Sequence, residues 1–198
     1  MEFSRFKILI IIFLLVSKSI FGQHYDFVKI IQGQGIVYNN DSILLNKTTV
    51  KELHKKLNIK DISDPNISTI LMWDGFKIDS IETTSGWQYL FESTSGSEYI
   101  KDIKNKSINF RFSDETDENN LKLKWIKIQE DRTLKIYTDN GFMIGMINPN
   151  FKEVFPNLGK NDYISKDGLT YNLYTYGISF QLEKLENDDL KIIEISVY

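Results

Sequence analysis

Leu121-Lys-Leu-Lys-Trp-Ile-Lys-Ile128 and Leu190-Lys-Ile-Ile-Glu-Ile-Ser-Val197 decide how this chain is read. Each opens Leu-Lys, each closes on alternating Ile or Val, and each follows a second alternating run. Those runs are Ile108-Asn-Phe-Arg-Phe112 and Ile178-Ser-Phe-Gln-Leu182. Acidic polar turns join the members, Asp114-Glu-Thr-Asp-Glu-Asn-Asn120 in the first pair and Glu186-Asn-Asp-Asp189 in the second. A period of two sends the apolar side chains to one face. The pattern therefore predicts an antiparallel hairpin with one buried face, used twice.

Upstream of both hairpins the same order recurs. Ile36-Val-Tyr38, the turn Asn39-Asn-Asp41 and Ile43-Leu-Leu45 read as a hairpin. Lys135-Ile-Tyr137, Asp139-Asn-Gly141 and Phe142-Met-Ile144 repeat it, Tyr38 over Tyr137. Thr49 and Glu52 have capping-box spacing, and Val50, Leu53 and Leu57 line one face of the helix they open. Asn148-Pro-Asn150 opens its counterpart, with Pro accommodated in a first turn. Laid ungapped, Val50 to Leu57 falls on Phe151 to Leu158. This sets His54 on Phe155 and Asn58 on Gly159, where a left-handed helix stop is expected. Pro156 shortens or breaks the second helix.

The predicted fold is α+β: two tandem units, each a short helix packed on an antiparallel sheet. Residues 1–22 read as a signal peptide, 23–130 as the first unit with an insertion around 58–107, and 131–198 as the second unit. A strand at Phe27-Val-Lys-Ile-Ile31 leads the first unit. In the insertion, turn-like Asp74-Gly75, Ser85-Gly86 and Ser95-Gly96 alternate with strand-like Thr69 to Trp73, Phe76 to Ile81 and Trp87 to Phe91, which predicts extra strands.

The leader has a basic start at Arg5 and Lys7, then an unbroken apolar run from Ile8 to Val16, then small and polar residues to Gly22. The run is short for a span of ~20 residues but suits a signal peptide cleaved before Gln23. The expected location is therefore periplasmic or secreted, with no integral span in the mature chain. A formal charge of −3 for the whole chain becomes more acidic once Arg5, Lys7 and Lys18 leave with the leader, which argues against nucleic acid as a partner. Cysteine is absent, so disulfides, thiol catalysis and thiolate metal sites are excluded.

Few residues suggest chemistry. His24 lies at the start of the mature chain, and His54 reads as a core histidine because its counterpart is Phe155. The acidic run 114–120 reads as a solvated turn that discourages strand-edge pairing, not as a calcium loop. No nucleophile elbow and no phosphate-cradling loop stands in a suitable context. No cofactor, metal site or catalytic residue is expected. The aromatic residues of the insertion, Trp73, Trp87 and Tyr89, are the candidate interaction surface, weighed against packing of the extra strands on the core.

Leu45-Asn-Lys-Thr-Thr-Val-Lys-Glu-Leu53, Ile147-Asn-Pro-Asn-Phe-Lys-Glu-Val154 and Tyr174-x-Tyr-Gly-Ile-Ser-Phe-x-Leu182 with its returning strand carry a resemblance. The unit resembles the two-layer fold of outer-membrane assembly lipoproteins of the SmpA/BamE type and of the β-lactamase inhibitor protein, itself a tandem of two such units. The cysteines of both have no counterpart here. The resemblance implies a binding or assembly role. The expected function is an exported, non-enzymatic binding, inhibitory or assembly module of the cell envelope or extracellular space, with a protein partner or a glycan as ligand. A carboxylate-dependent hydrolase and a structural component of a surface assembly are the alternatives.

Overall fold

The computed structural model describes residues 26–59, 79–82, 86–93, 99–114 and 121–198, with the backbone alone at 79–82, 88–93, 99–101 and 114. The expected leader, Trp73 and the turn 115–120 lie outside them. The elements in order are β1 (Asp26–Ile31), β2 (Gly35–Tyr38), β3 (Asp41–Leu44), α1 (Val50–Lys56), β4 (Asp79–Glu82), β5 (Gln88–Ser93), β6 (Tyr99–Lys104) and β7 (Ile108–Asp114). There follow β8 (Lys122–Gln129), β9 (Leu134–Thr138), the single turn α2 (Phe151–Val154), β10 (Tyr163–Ile164), β11 (Thr170–Leu173), a 3-10 turn (Tyr174–Tyr176), β12 (Ile178–Lys184) and β13 (Leu190–Val197). The chain is mostly β with some helix.

The strands do not form one sheet per unit. Among the described residues they form a four-stranded sheet, β3-β2-β1-β9, and a nine-stranded sheet, β10-β11-β12-β13-β8-β7-β6-β5-β4. The last strands of the two predicted units, β8 and β13, pair antiparallel in the middle of the large sheet, Ser196 opposite Lys127. Their pairing removes two open strand edges at once. The leading strand β1 lies parallel to β9, Phe27 opposite Lys135, so the four-stranded sheet draws on both predicted units.

Both predicted hairpins form, and their registers coincide. In β7–β8 the pairing slips between Arg111 and Phe112, whose partners are Trp125 and Leu123. In β12–β13 it slips between Gln181 and Leu182, whose partners are Glu194 and Ile192. The extra residue of each bulge, Lys124 or Ile193, resets the alternation so that Leu123 and Ile126, or Ile192 and Ile195, all face the core. The segment after each upstream hairpin is tied to the same place. Asn46 N–H bonds the Leu123 carbonyl at 2.7 Å, and Gly145 N–H bonds the Ile192 carbonyl at 2.7 Å.

Local chemistry explains the remaining elements. Asn39 and Asn40 both take positive φ, 45° and 75°, which gives the two-residue turn that matches strand twist in β2–β3. Asp41 belongs to β3, not to the turn. At α1, Glu52 N–H donates to Thr49 Oγ1 while the Glu52 carboxylate accepts the Thr49 N–H at 2.8 Å, and the helix buries Leu53 and His54. Asn58, with φ of 50°, ends it in the left-handed region. Gly159 does not adopt that conformation. Its small size is needed instead because Thr175 packs where a Cβ would stand. The second hairpin keeps its bonds, Thr138 N–H to the Phe142 carbonyl and Ile144 N–H to that of Ile136, but its returning arm is cut short by the turn at Gly145.

The core runs along the inner face of the large sheet. Ile103, Phe110, Ile126, Val197, Ile178 and Leu173 follow one another across six adjacent strands. Each such fully buried side chain contributes about 1.5–3 kcal/mol by leaving water. Phe142, Phe151, Phe155 and Phe180 add a ring cluster with centroids 4.7–6.0 Å apart. Phe155 stands there as its alignment with His54 anticipates, both being buried. Leu158, placed opposite Leu57, is exposed because the chain has already left the helix at Phe155.

Candidate functional site

Alternation that buries one face of the large sheet leaves the other open, and the register specifies its surface. Asn172, Ser179, Ser196, Lys127, Asn109 and Lys104 form one row across six strands. Thr170, Gln181, Glu194 and Gln129 form the next. Trp125, Arg111 and Asp102 form a third, on the other side of the Lys127 row. Every residue named in these three rows is polar or charged except Trp125, and the rows run on to Tyr163 in β10 and to Leu90 in β5. The Trp125 ring is on this side only because the bulge at Lys124 resets the strand.

Side-chain contacts knit the middle of this face. Lys127 Nζ lies 3.4 Å from the Glu194 carboxylate across the β8–β13 seam and 5.6 Å from the centroid of Trp125. Gln129 donates to Glu194 at 3.0 Å. Thr170 Oγ1 and Gln181 Oε1 are joined at 2.9 Å. Arg111 Nε approaches Asp102 at 3.5 Å. Ser196 and Asn109, in the central row, are nearly covered by their longer neighbours. The result is a half-buried band of donors, acceptors and one aromatic ring, held in place by rigid strands.

At the end of the seam a shallow open depression is lined by Glu130, Asp131, Arg132 and Lys191. Lys191 Nζ is 2.6 Å from Glu130. Asp131 accepts from the Ser107 hydroxyl, and from the N–H and hydroxyl of Thr133 at 2.6 and 2.5 Å. These bonds, that from Ser107 foremost, hold the Asp131 carboxyl below the usual carboxylate range. Lys191 and Glu130 thus neutralise one another, and Asp131 is taken up by hydroxyls and an N–H. Among the described residues no group of His, Asp or Glu is arranged to hold a metal ion.

The residues singled out from sequence fall elsewhere. Trp87 is 6 % exposed and packs on Phe110 with ring centroids 5.8 Å apart, so its ring serves the core and not an exposed platform. Tyr89 lies in β5 opposite Ile103, and only its backbone is described. Trp73 lies outside the described residues. The surface residue that reading passed over is Trp125. Its signal was the adjacent apolar pair Trp125-Ile126, an interruption of alternation matched by Ile192-Ile193.

Comparison with protein-family models, curated proteins and solved structures finds no match. Among the described residues no helix is long and apolar enough to cross a membrane.

Proposed function

We propose that this protein is an exported, non-enzymatic binding or assembly module that engages a protein partner through the open face of its nine-stranded sheet. The observation that carries this reading is the ring of Trp125, set among the charged and amide side chains of Arg111, Lys127, Gln129 and Glu194 on rigid strands. Trp and Arg within a polar surround are the side chains that dominate binding hot spots. The reading takes residues 23–130 and 131–198 as two copies of one helix-on-sheet unit, supported by the matched bulges and by the equivalent bonds of Asn46 and Gly145. It retains the resemblance to the SmpA/BamE and β-lactamase inhibitor proteins as its fold-level support. Export rests on the leader sequence.

The test is affinity co-purification of the full chain's mature product against envelope and secreted fractions, beside Trp125→Ala and Arg111→Ala baits shown to be folded. A stoichiometric partner, lost with either substitution, is the expected result. A partner retained by both would move the interface off this face. No partner for the unaltered bait would count against the reading itself.

A further inference from the structure

The four-stranded sheet has an outer face of different character. In β1 and β9 alternation buries Val28, Ile30, Ile136 and Thr138, and turns Phe27, Lys29, Lys135 and Tyr137 outward. The register aligns these with their neighbours in rows. Met143, Tyr137, Lys29, Val37 and Ser42 run across the sheet. Lys135 and Phe27 stand side by side on one flank, Lys135 Nζ 5.9 Å from the Phe27 ring. Ile31, Gly35 and Leu44 lie on the other flank. Phe27, Tyr137 and Met143 are 51 %, 37 % and 50 % exposed. Both charged residues in these rows are lysines, on a chain whose acidic residues outnumber its basic ones, 27 to 24.

We infer that this outer face is a second docking surface, separate from the open face of the large sheet, and that it takes an extended, acidic protein segment with interspersed apolar side chains. Three arguments select that occupant. Charge comes first: carboxylates complement Lys29 and Lys135, whereas a second copy of this chain would set lysine against lysine. Size comes next. Strands ~4.8 Å apart and rows ~6.8 Å apart make a face on the order of 400 Å². That is about half of the ~800 Å² per partner in a stable domain–domain interface, yet ample for a linear segment. Finally, two lysines fall short of the four to eight basic residues that mark an anionic-lipid surface. The exposed rings supply contact area with little side-chain entropy to lose.

The experiment uses the whole protein and a fluorescein-labelled synthetic peptide of about eight residues (~26 Å extended) alternating glutamate with phenylalanine and leucine. A peptide with lysine in place of glutamate and phosphatidylserine–phosphatidylcholine vesicles are separate arms. Saturable binding of the acidic peptide is expected. It should weaken at least about tenfold, or roughly 1.4 kcal/mol, in Lys29→Glu/Lys135→Glu and in Tyr137→Ser/Met143→Ser. Trp125→Ala should leave it unchanged. All three variants alter outward side chains, and urea unfolding confirms that each is folded. Equal binding of the basic peptide, equal binding by all variants, or no peptide binding would overturn the inference. Vesicle binding lost in the lysine variant, without peptide binding, would assign the face to lipid instead.

Discussion

Gly177 lies with its backbone against Gly33: a Cβ at Gly177 would stand 2.6 Å from the Gly33 Cα and 2.8 Å from the Tyr198 carbonyl oxygen. This contact joins the turn after β1 in the small sheet to the turn that opens β12 in the large one. Both glycines take positive φ, 64° and 65°, a conformation that costs a residue with a Cβ roughly 1–2 kcal/mol. Their spatial demands differ. The nearest atom to a Cβ at Gly33 is the Tyr176 carbonyl oxygen, at 3.4 Å. Gly33→Ala should therefore lose only the conformational share, while Gly177→Ala adds the ~1–3 kcal/mol of forced backbone movement. Urea unfolding of both variants measures the difference, and equal losses would mean that the two sheets are not in contact here.

The paired bulges make a sharper claim. Removing Lys124 or Ile193, the residue without a partner, would leave a strictly alternating strand in the observed register, with Leu123 and Ile126, or Ile192 and Ile195, still facing the core. Either deletion should therefore give folded protein that keeps the pairings of Phe112 with Leu123 and of Leu182 with Ile192. Lys124→Ala keeps the bulge and forfeits only the exposed 2.9 Å bond to Asn46, so it should cost about 1 kcal/mol or less. Circular dichroism and urea melts of the three proteins check this, and an unfolded deletion variant would show that the fold needs the local bend and twist of the bulge itself.

These bulges also show how far the sequence could be read. Local grammar was legible: alternation gave both hairpins, Thr49-x-x-Glu52 gave α1, and the alignment of His54 with Phe155 gave two buried positions. Pairings between distant segments were not. Nothing in Phe27 to Ile31 signals that it lies parallel to Leu134 to Thr138, because both read as ordinary alternating strands and parallel partners need no joining turn. The same limit hid the β8–β13 seam, and with it the band around Lys127 and Glu194. Trp87 was the harder case. Aromatic rings serve cores and surfaces equally well, and only burial against Phe110 separates the two uses.

Asp131 offers a pH-dependent test. Its folded carboxyl is held below the usual range by Ser107 and then Thr133. A depressed folded pKa stabilises the native state above the unfolded carboxylate's range, and that share is lost as pH falls through the folded value. Ser107→Ala should raise the folded value toward the unfolded one. Between about pH 5 and 2 the variant's stability should thus decline less steeply than that of the unaltered protein. Asp131 is solvated, so the difference at neutral pH should be no more than about 1 kcal/mol. Parallel slopes over this range would show that the bond does not persist in solution.

The cap of α1 rests on one hydroxyl. Thr49→Ala removes the acceptor for the Glu52 N–H and the hydroxyl bond to the Glu52 carboxylate, while the Thr49 N–H, which does most to hold that carboxyl low, remains. A loss of about 1 kcal/mol is expected. Thr49→Ser, which retains the acceptor, should recover most of it. A loss in both variants would point to the pairing of Thr49 with Lys122 as the feature that matters.

Phe180 is the residue on which the second half depends most. It lies in β12, fully surrounded, with its ring 5.2 Å from Phe142, 4.7 Å from Phe151 and 6.0 Å from Phe155. The single turn α2 is too short to be stable alone, so packing on this ring is what holds it. Phe180→Ala should cost ~3–5 kcal/mol, against ~1 kcal/mol for Phe180→Leu, which refills most of the space. Hydrogen exchange adds a spatial reading. The Phe155 N–H, bonded to the Phe151 carbonyl at 2.8 Å, should lose protection in the alanine variant before the Leu57 N–H of α1 does. Simultaneous loss at both amides would show that the two helical segments belong to one cooperative unit joined through the β8–β13 seam.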